Sequence, residues 1–267
     1  MNDMITIPVS GTEMIPLMKE SLSNLKSFEV NFELNSYEKQ FYVLQHKRRL
    51  AKEAFTFTDH VRAFILTLLI EGAGWEYVEG NLERIEECFK HFNAESIFAR
   101  PMENFSCTLV SYECAYPNLY QEMELVKPNL MMMMELDKAG GSIDRYFTSK
   151  LPERAAFELL YNKQFHFVGL RYDQICAYMK NVGIDMPNPD PLTYALFSPN
   201  RLGLWDDDTI DQNESMAITR HLAEETGFAM SYIDHVTGIF CHSICMKSPK
   251  CGLCELRSYC AYEAKPD

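Results

Sequence analysis

Residues 245–262 read CMKSPKCGLCELRSYCAY. Cys245, Cys251, Cys254 and Cys260 fall within sixteen residues, spaced C-x5-C-x2-C-x5-C. The chain starts MNDMITIPVS, with no basic n-region and no long apolar core, so no signal peptide is expected. Four thiols this close in such a chain point to metal ligation rather than to disulfides. Zinc sites usually pair two C-x2-C knuckles across a longer gap. Here one C-x2-C pair stands alone, with longer arms on both sides. Such arms can wrap a larger object, and a [4Fe–4S] cluster held by four thiolates suits them best. Zinc and unliganded cysteines are the alternatives.

The same run resembles the iron–sulfur loop that closes the endonuclease III group of helix-hairpin-helix DNA glycosylases. The core KCGLC (residues 250–254) and the x5 gap to Cys260 carry the likeness. The first gap is x5, where the family usually has x6. The resemblance covers about residues 55–262, best at the end. It implies two helical domains, a helix-hairpin-helix motif, a C-terminal cluster loop and excision of a base from duplex DNA.

Composition bounds these expectations. A chain of 267 residues can bury one large core or two small ones. Its 47% apolar and 24% charged residues are ordinary for a soluble globular protein. No run of eighteen apolar residues exists, so no membrane span is expected. Nine cysteines, an odd number, suit a reducing compartment, with the cytoplasm as default and a monomer as the expected state. The net charge of −13 excludes a uniformly basic DNA-binding surface, so any phosphate grip must be local. Basic residues concentrate at 46–49 with Lys52, and at Lys247, Lys250 and Arg257. Acids concentrate at 206–208 with Asp211 and Glu214. Any one of these runs also suits a merely solvated face.

Along the chain the pattern is all-α. Residues 5–9 and 27–34 alternate in a way that allows short strands, and Pro8 and Pro16 should break any long helix. Helices are expected from Ser36, from Thr58 to a break at Glu71, and onward from Trp75. Methionines 131–134 read as soft core filler, Gly140-Gly141 as a helix stop, and Pro152 as a helix first turn. Three regions follow: 1–54, an N-terminal extension and first helix packing with the C-terminal domain; 55–185, a helical domain with the hairpin; and 186–267, the cluster domain.

The second informative stretch is residues 165–191, FHFVGLRYDQICAYMKNVGIDMPNPDP. Val168-Gly169 lies between two helical runs, and glycine there permits a tight turn before a helix whose free N–H groups can hold a phosphate. Asp190, framed by Pro187, Pro189 and Pro191, suits a helix N-cap on a stiff backbone.

The family resemblance adds roles to these residues. It implies a hairpin at Val168-Gly169 and a catalytic aspartate eighteen or nineteen positions after a key residue. Asp190 lies nineteen after Arg171 and eighteen after Tyr172. The sequence departs from the family at three places. Phe167 replaces the hairpin's first glycine. Arg171 or Tyr172 stands where bifunctional members carry a Schiff-base lysine, and arginine cannot act as that amine. No polar wedge is visible near Glu71, Gly72 and Ala73, leaving Trp75 as a substitute. The expectation is therefore hydrolytic base excision without strand cleavage. Asp190 would be the carboxylate, and Tyr172, Arg171, Trp75 and Phe167 would lie against the flipped base. Phe165, His166 and Tyr178 are further aromatic candidates, and each of these six rings taken alone reads first as core. Gly169, Lys247 and Lys250 would touch DNA. The competing readings are a non-catalytic iron–sulfur nucleic-acid-binding protein and a glycosidase acting on RNA or a nucleoside.

Overall fold

The computed structural model describes residues 9–188, 190–205 and 210–262. Pro189, the acids at 206–208 and all but Val9 of the stretch 5–9 lie outside the described residues. Regular structure is helical, and no strand occurs among the described residues. The chain divides into two compact units, one joining Met1–Lys39 to Asp185–Asp267, the other Gln40–Ile184.

In chain order, α1 (Gly11–Asn24) and α2 (Phe28–Asn35) belong to the first unit. The second unit holds α3 (Phe41–Leu50), α4 (Phe57–Ala73), α5 (Trp75–Gly80), α6 (Leu82–Cys88), α7 (Ala94–Phe98) and α8 (Met102–Ser111). It continues through α9 (Leu119–Glu124), α10 (Val126–Gly140), α11 (Ile143–Thr148), α12 (Pro152–Tyr161) and α13 (Tyr172–Asn181). The first unit resumes with α14 (Pro191–Phe197), α15 (Gln212–Thr226) and α16 (Met230–Ser243). The expected first boundary at residue 54 thus moves: α3 packs against α13 in the second unit.

In the first unit α1 lies on α15 and α16. Pro16 sits inside α1 instead of breaking it. A proline there costs about 3 kcal/mol. Met14, Ile15, Met18 and Leu22 are at most 1% exposed. Each such burial contributes about 1.5–3 kcal/mol, so the buried stripe outweighs the lost bond. The stretch 27–34 is helix, not strand. Ser27 caps α2 by accepting the Val30 N–H at 3.4 Å, and the alternating apolar residues split, with Val30 and Leu34 partly buried against the core. Phe28 and Phe32 are 82% and 51% exposed and stack on each other. The core joins the α1 stripe to Phe197, Leu222, Ile233, Val236 and Phe240, and Leu256 of the cysteine loop inserts into it.

In the second unit α4 is the buried axis. Thr56 and Asp59 form a capping box at its start, two residues before the expected Thr58. The run 61–69 is buried, apart from Arg62, and the helix passes Glu71 to stop at Gly74, where φ is +88°. Met132 and Met133 fill core, whereas Met131 is 56% exposed, so the filler role holds for only part of that run. Gly141 ends α10 in the left-handed region, and Pro152 opens α12, as the sequence suggests. No helix of the described residues is long and apolar enough to cross a membrane.

Candidate metal centre and carboxylate site

The cysteine loop begins where α16 runs out. The Cys245 N–H donates to the Phe240 carbonyl, and the Lys250 N–H folds back to the Ile244 carbonyl at 2.9 Å. Two 3-10 turns, Cys251–Leu253 and Glu255–Tyr259, carry the remaining cysteines. The Glu255 N–H donates to Ser21 Oγ of α1 at 2.8 Å, and the Ala261 N–H to the Arg201 carbonyl at 2.7 Å. Leu256, 1% exposed, pins the loop from below.

All four cysteines are free thiols and line one cavity with Arg201, Ile244, Pro249, Arg257 and Tyr262. The cavity encloses about 330 Å³, open solvent included. Among the described residues no three His, Cys, Asp or Glu side chains converge as one metal ion requires. A single zinc would draw its sulfur ligands to about 2.3 Å of one point. A donor set of four thiols suits zinc and an iron–sulfur cluster alike. Burial pushes the Cys254 thiol up to about 11. Burial also raises Cys245, against a smaller opposing pull from the Arg201 guanidinium. Arg201 donates to Cys245 Sγ, to the Cys245 carbonyl at 2.9 Å and to the Met246 carbonyl at 3.2 Å.

Asp190 lies in the same unit and caps α14. Its Oδ1 accepts from the Leu192 and Thr193 N–H groups, each at 2.9 Å, and Pro191 occupies the first helical position. The backbone at Asp190 is extended, as a residue before proline and at an N-cap requires. Its Oδ2 meets Nε2 of His242 at 2.5 Å. The Asp190 side chain is 34% exposed and His242 is 62% exposed. α14 packs on α16, which brings the last turn of one helix to the first turn of the other. His242 stands three residues before Cys245, so one helix end supplies both the carboxylate's partner and the first thiol of the loop.

The hairpin belongs to the second unit. Asn162 turns the chain out of α12 by accepting the Gln164 and Phe165 N–H groups. The Phe167 N–H returns to the Leu159 carbonyl at 2.6 Å. Gly169 has φ +72°, and a Cβ there would meet Leu125 Cδ2 at 2.7 Å. Among the described residues the Gly169 and Leu170 N–H groups donate to no internal acceptor. The Arg171 N–H is taken by Gln174 Oε1 at 3.0 Å at the head of α13.

Three of the aromatic candidates, Phe167, Tyr172 and Tyr178, are buried in packing. Phe167, 2% exposed, lies between Phe64 and Tyr178, with ring centroids at 5.6 and 5.3 Å. Tyr178 is fully buried, and Tyr172 is 9% exposed. Trp75 stacks at a tilt on Phe41, with its indole N–H buried and without a partner among the described residues. Phe165 is half-buried and His166 exposed. Arg171 is exposed and paired with Asp173 at 2.9 Å and Glu71 at 3.7 Å. Burial pushes the Glu71 carboxyl up to about 7, although Arg171 opposes the rise. Lys247 and Lys250 are exposed on the cysteine loop.

Two residues of this site escape sequence reasoning. His242 lies 52 residues from Asp190, and Arg201 lies 44 from Cys245, so neither pairing leaves a local signal. The nearness of His242 to Cys245 in sequence is the one hint the chain offers. Compared with family models, curated proteins and solved structures, the chain matches none of them.

Proposed function

We propose that the chain is a monofunctional DNA base-excision glycosylase of the helix-hairpin-helix type, stabilised by a [4Fe–4S] cluster on Cys245, Cys251, Cys254 and Cys260. The observation that carries this reading is Asp190, a part-exposed carboxylate capping α14 in the unit that also holds the four-thiol cavity. The hairpin supports it further: two N–H groups without internal acceptors precede a helix start, an arrangement suited to a phosphate.

The chemistry follows from the groups present. The target base is turned out of the stack. Breaking its N-glycosidic bond leaves positive charge on the sugar ring, and the Asp190 carboxylate stabilises it. Water completes the hydrolysis. Arg171 stays protonated and forms no Schiff base, so the sugar–phosphate backbone is left intact. The cluster supplies structure: it would join the loop's two 3-10 turns to the end of α16.

The test is a panel of duplexes, each bearing a different altered base, scored for released base and abasic sites. Asp190→Asn should lower excision by about 10²-fold or more while the protein stays folded. Excision at the full rate by this variant would remove Asp190 from the mechanism. One observation favours a second reading, a nucleic-acid-binding protein without catalysis. Both oxygens of Asp190 are already engaged, one by α14 and one by His242. Tight duplex binding with no base released from any duplex would select it.

A further inference from the structure

We infer that His242 and Asp190 form an acid–base dyad in which the imidazole, not the carboxylate, moves the proton; the inference rests on the base-excision reading above. Asp190 Oδ1 accepts two backbone N–H groups at 2.9 Å. Asp190 Oδ2 is held by His242 Nε2 at 2.5 Å. With both oxygens already taken by donors, Asp190 is placed for charge stabilisation and not for proton delivery. The departing base and the attacking water both require a proton-transfer group, and imidazole is the side chain most often used.

His242 has the position for it. Its side chain is 62% exposed at the end of α16, whereas the oxygens of Asp190 face helix and ring. Its Nε2 proton is fixed by Asp190, which sets the ring's orientation and leaves Nδ1 as the working nitrogen. Nδ1 makes no hydrogen bond among the described residues. The C1′–N bond breaks and its electron pair leaves with the base. The imidazolium of His242 gives its Nδ1 proton to that base. Water oxygen bonds C1′, and the water's proton passes to Nδ1, restoring the imidazolium. Asp190 holds the opposite N–H throughout, and its charge stabilises the positive sugar through space.

The experiment uses the full cluster-bearing chain and a duplex from which the wild type releases base. Single-turnover rates and duplex affinities are measured for the wild type, His242→Gln, His242→Ala and Asp190→Asn, after circular dichroism has confirmed folding. Both His242 variants should excise about 100-fold more slowly, with affinity kept within about twofold. Added imidazole should restore about tenfold or more of the rate to His242→Ala and none to Asp190→Asn. Wild-type rates in both His242 variants would overturn the dyad and leave the base-excision reading standing. A slow His242→Ala that imidazole does not rescue would reduce His242 to holding Asp190 in place, which also overturns the proton-transfer role. A wild type that releases no base from any duplex would overturn the reading and the dyad together.

Discussion

Gly183 presses on the backbone of Gln45. A Cβ at position 183 would lie 2.6 Å from the Gln45 carbonyl oxygen and 2.8 Å from its carbon. The contact closes α3 onto the end of α13. Arg49 reinforces it by donating two N–H groups to the Val182 carbonyl, at 2.6 and 3.1 Å, and the His46 ring meets the Gly183 carbonyl at 3.1 Å. Gly183 also has φ +78°, which a side chain rarely adopts.

Gly183→Ala should therefore destabilise the protein by about 2–4 kcal/mol, because backbone strain and a clash with immovable backbone add. Gly203 is the control. Its φ is +60°, but a Cβ there would meet nothing within 4 Å, so Gly203→Ala should cost only about 1 kcal/mol. Urea unfolding at constant slope measures both. Equal costs would show that strain, not the Gln45 contact, governs position 183.

The punctuation of this chain is legible because its causes are local. Asp190-Pro191, Gly141 and Pro152 act through their own backbone, and each lies at the helix end its chemistry favours. The four cysteines are legible because their spacing is itself the signal, and they line one cavity. The stretch 27–34 misleads because its alternation suggests one buried face, while α2 leaves Phe28 and Phe32 in solvent. The aromatic candidates are ambiguous for a related reason. Phe167 and Tyr178 have the chemistry of a base-stacking wall, but burial decides their use, and burial depends on partners such as Phe64, over 100 residues away. The His242–Asp190 pair belongs to the same class of information.

The buried ring of His60 makes stability depend on pH. His60 is 0% exposed, with Nδ1 2.8 Å from the Tyr178 hydroxyl and Nε2 3.3 Å from Asp144 Oδ1. Tyrosine donates, so Nδ1 accepts and the proton sits on Nε2. Burial holds the imidazole below its usual range, although Asp144 pulls the other way. The unfolded chain therefore binds a proton that the folded chain resists, from about pH 6.5 downward. Stability from this group is full above that pH and is lost as pH falls below it. Melting temperature should drop between pH 7.5 and 5.5. His60→Gln should be less stable at pH 7.5 and flatten that slope; an unchanged slope would place the acid sensitivity elsewhere.

Arg201 should govern how long the proposed cluster survives. Its guanidinium bonds Cys245 Sγ and the carbonyls of Cys245 and Met246, and its own carbonyl takes the Ala261 N–H. It thus ties the first thiol to the stretch of chain just past the last one. Cys251→Ser and Cys254→Ser should abolish the visible absorbance of an iron–sulfur chromophore outright. Arg201→Ala should assemble the cluster but lose that absorbance faster under chelator than the wild type. A colourless wild type carrying stoichiometric zinc would instead assign the thiols to zinc.

The cysteine loop should carry a measurable share of DNA affinity despite the acidic chain. Net charge is −13, so distant charges oppose binding, but at physiological salt their effect fades beyond about 8 Å. Within residues 245–262 three cations, Lys247, Lys250 and Arg257, face a single carboxylate, Glu255. That carboxylate is engaged by the Asn24 side chain at 2.8 Å. Lys247 and Lys250 are exposed on that loop, so a phosphate contact there is local to them. Each phosphate contact contributes about 0.9 to the slope of log affinity against log salt. If Lys247 and Lys250 each touch one phosphate, the double variant Lys247→Ala, Lys250→Ala should lower that slope by about 2. It should weaken binding equally for intact and altered duplexes, since phosphates carry no base information. Fluorescence anisotropy across a salt series measures both quantities. A slope identical to the wild type would move the phosphate contacts off this loop and leave the hairpin N–H groups of Gly169 and Leu170 to supply them.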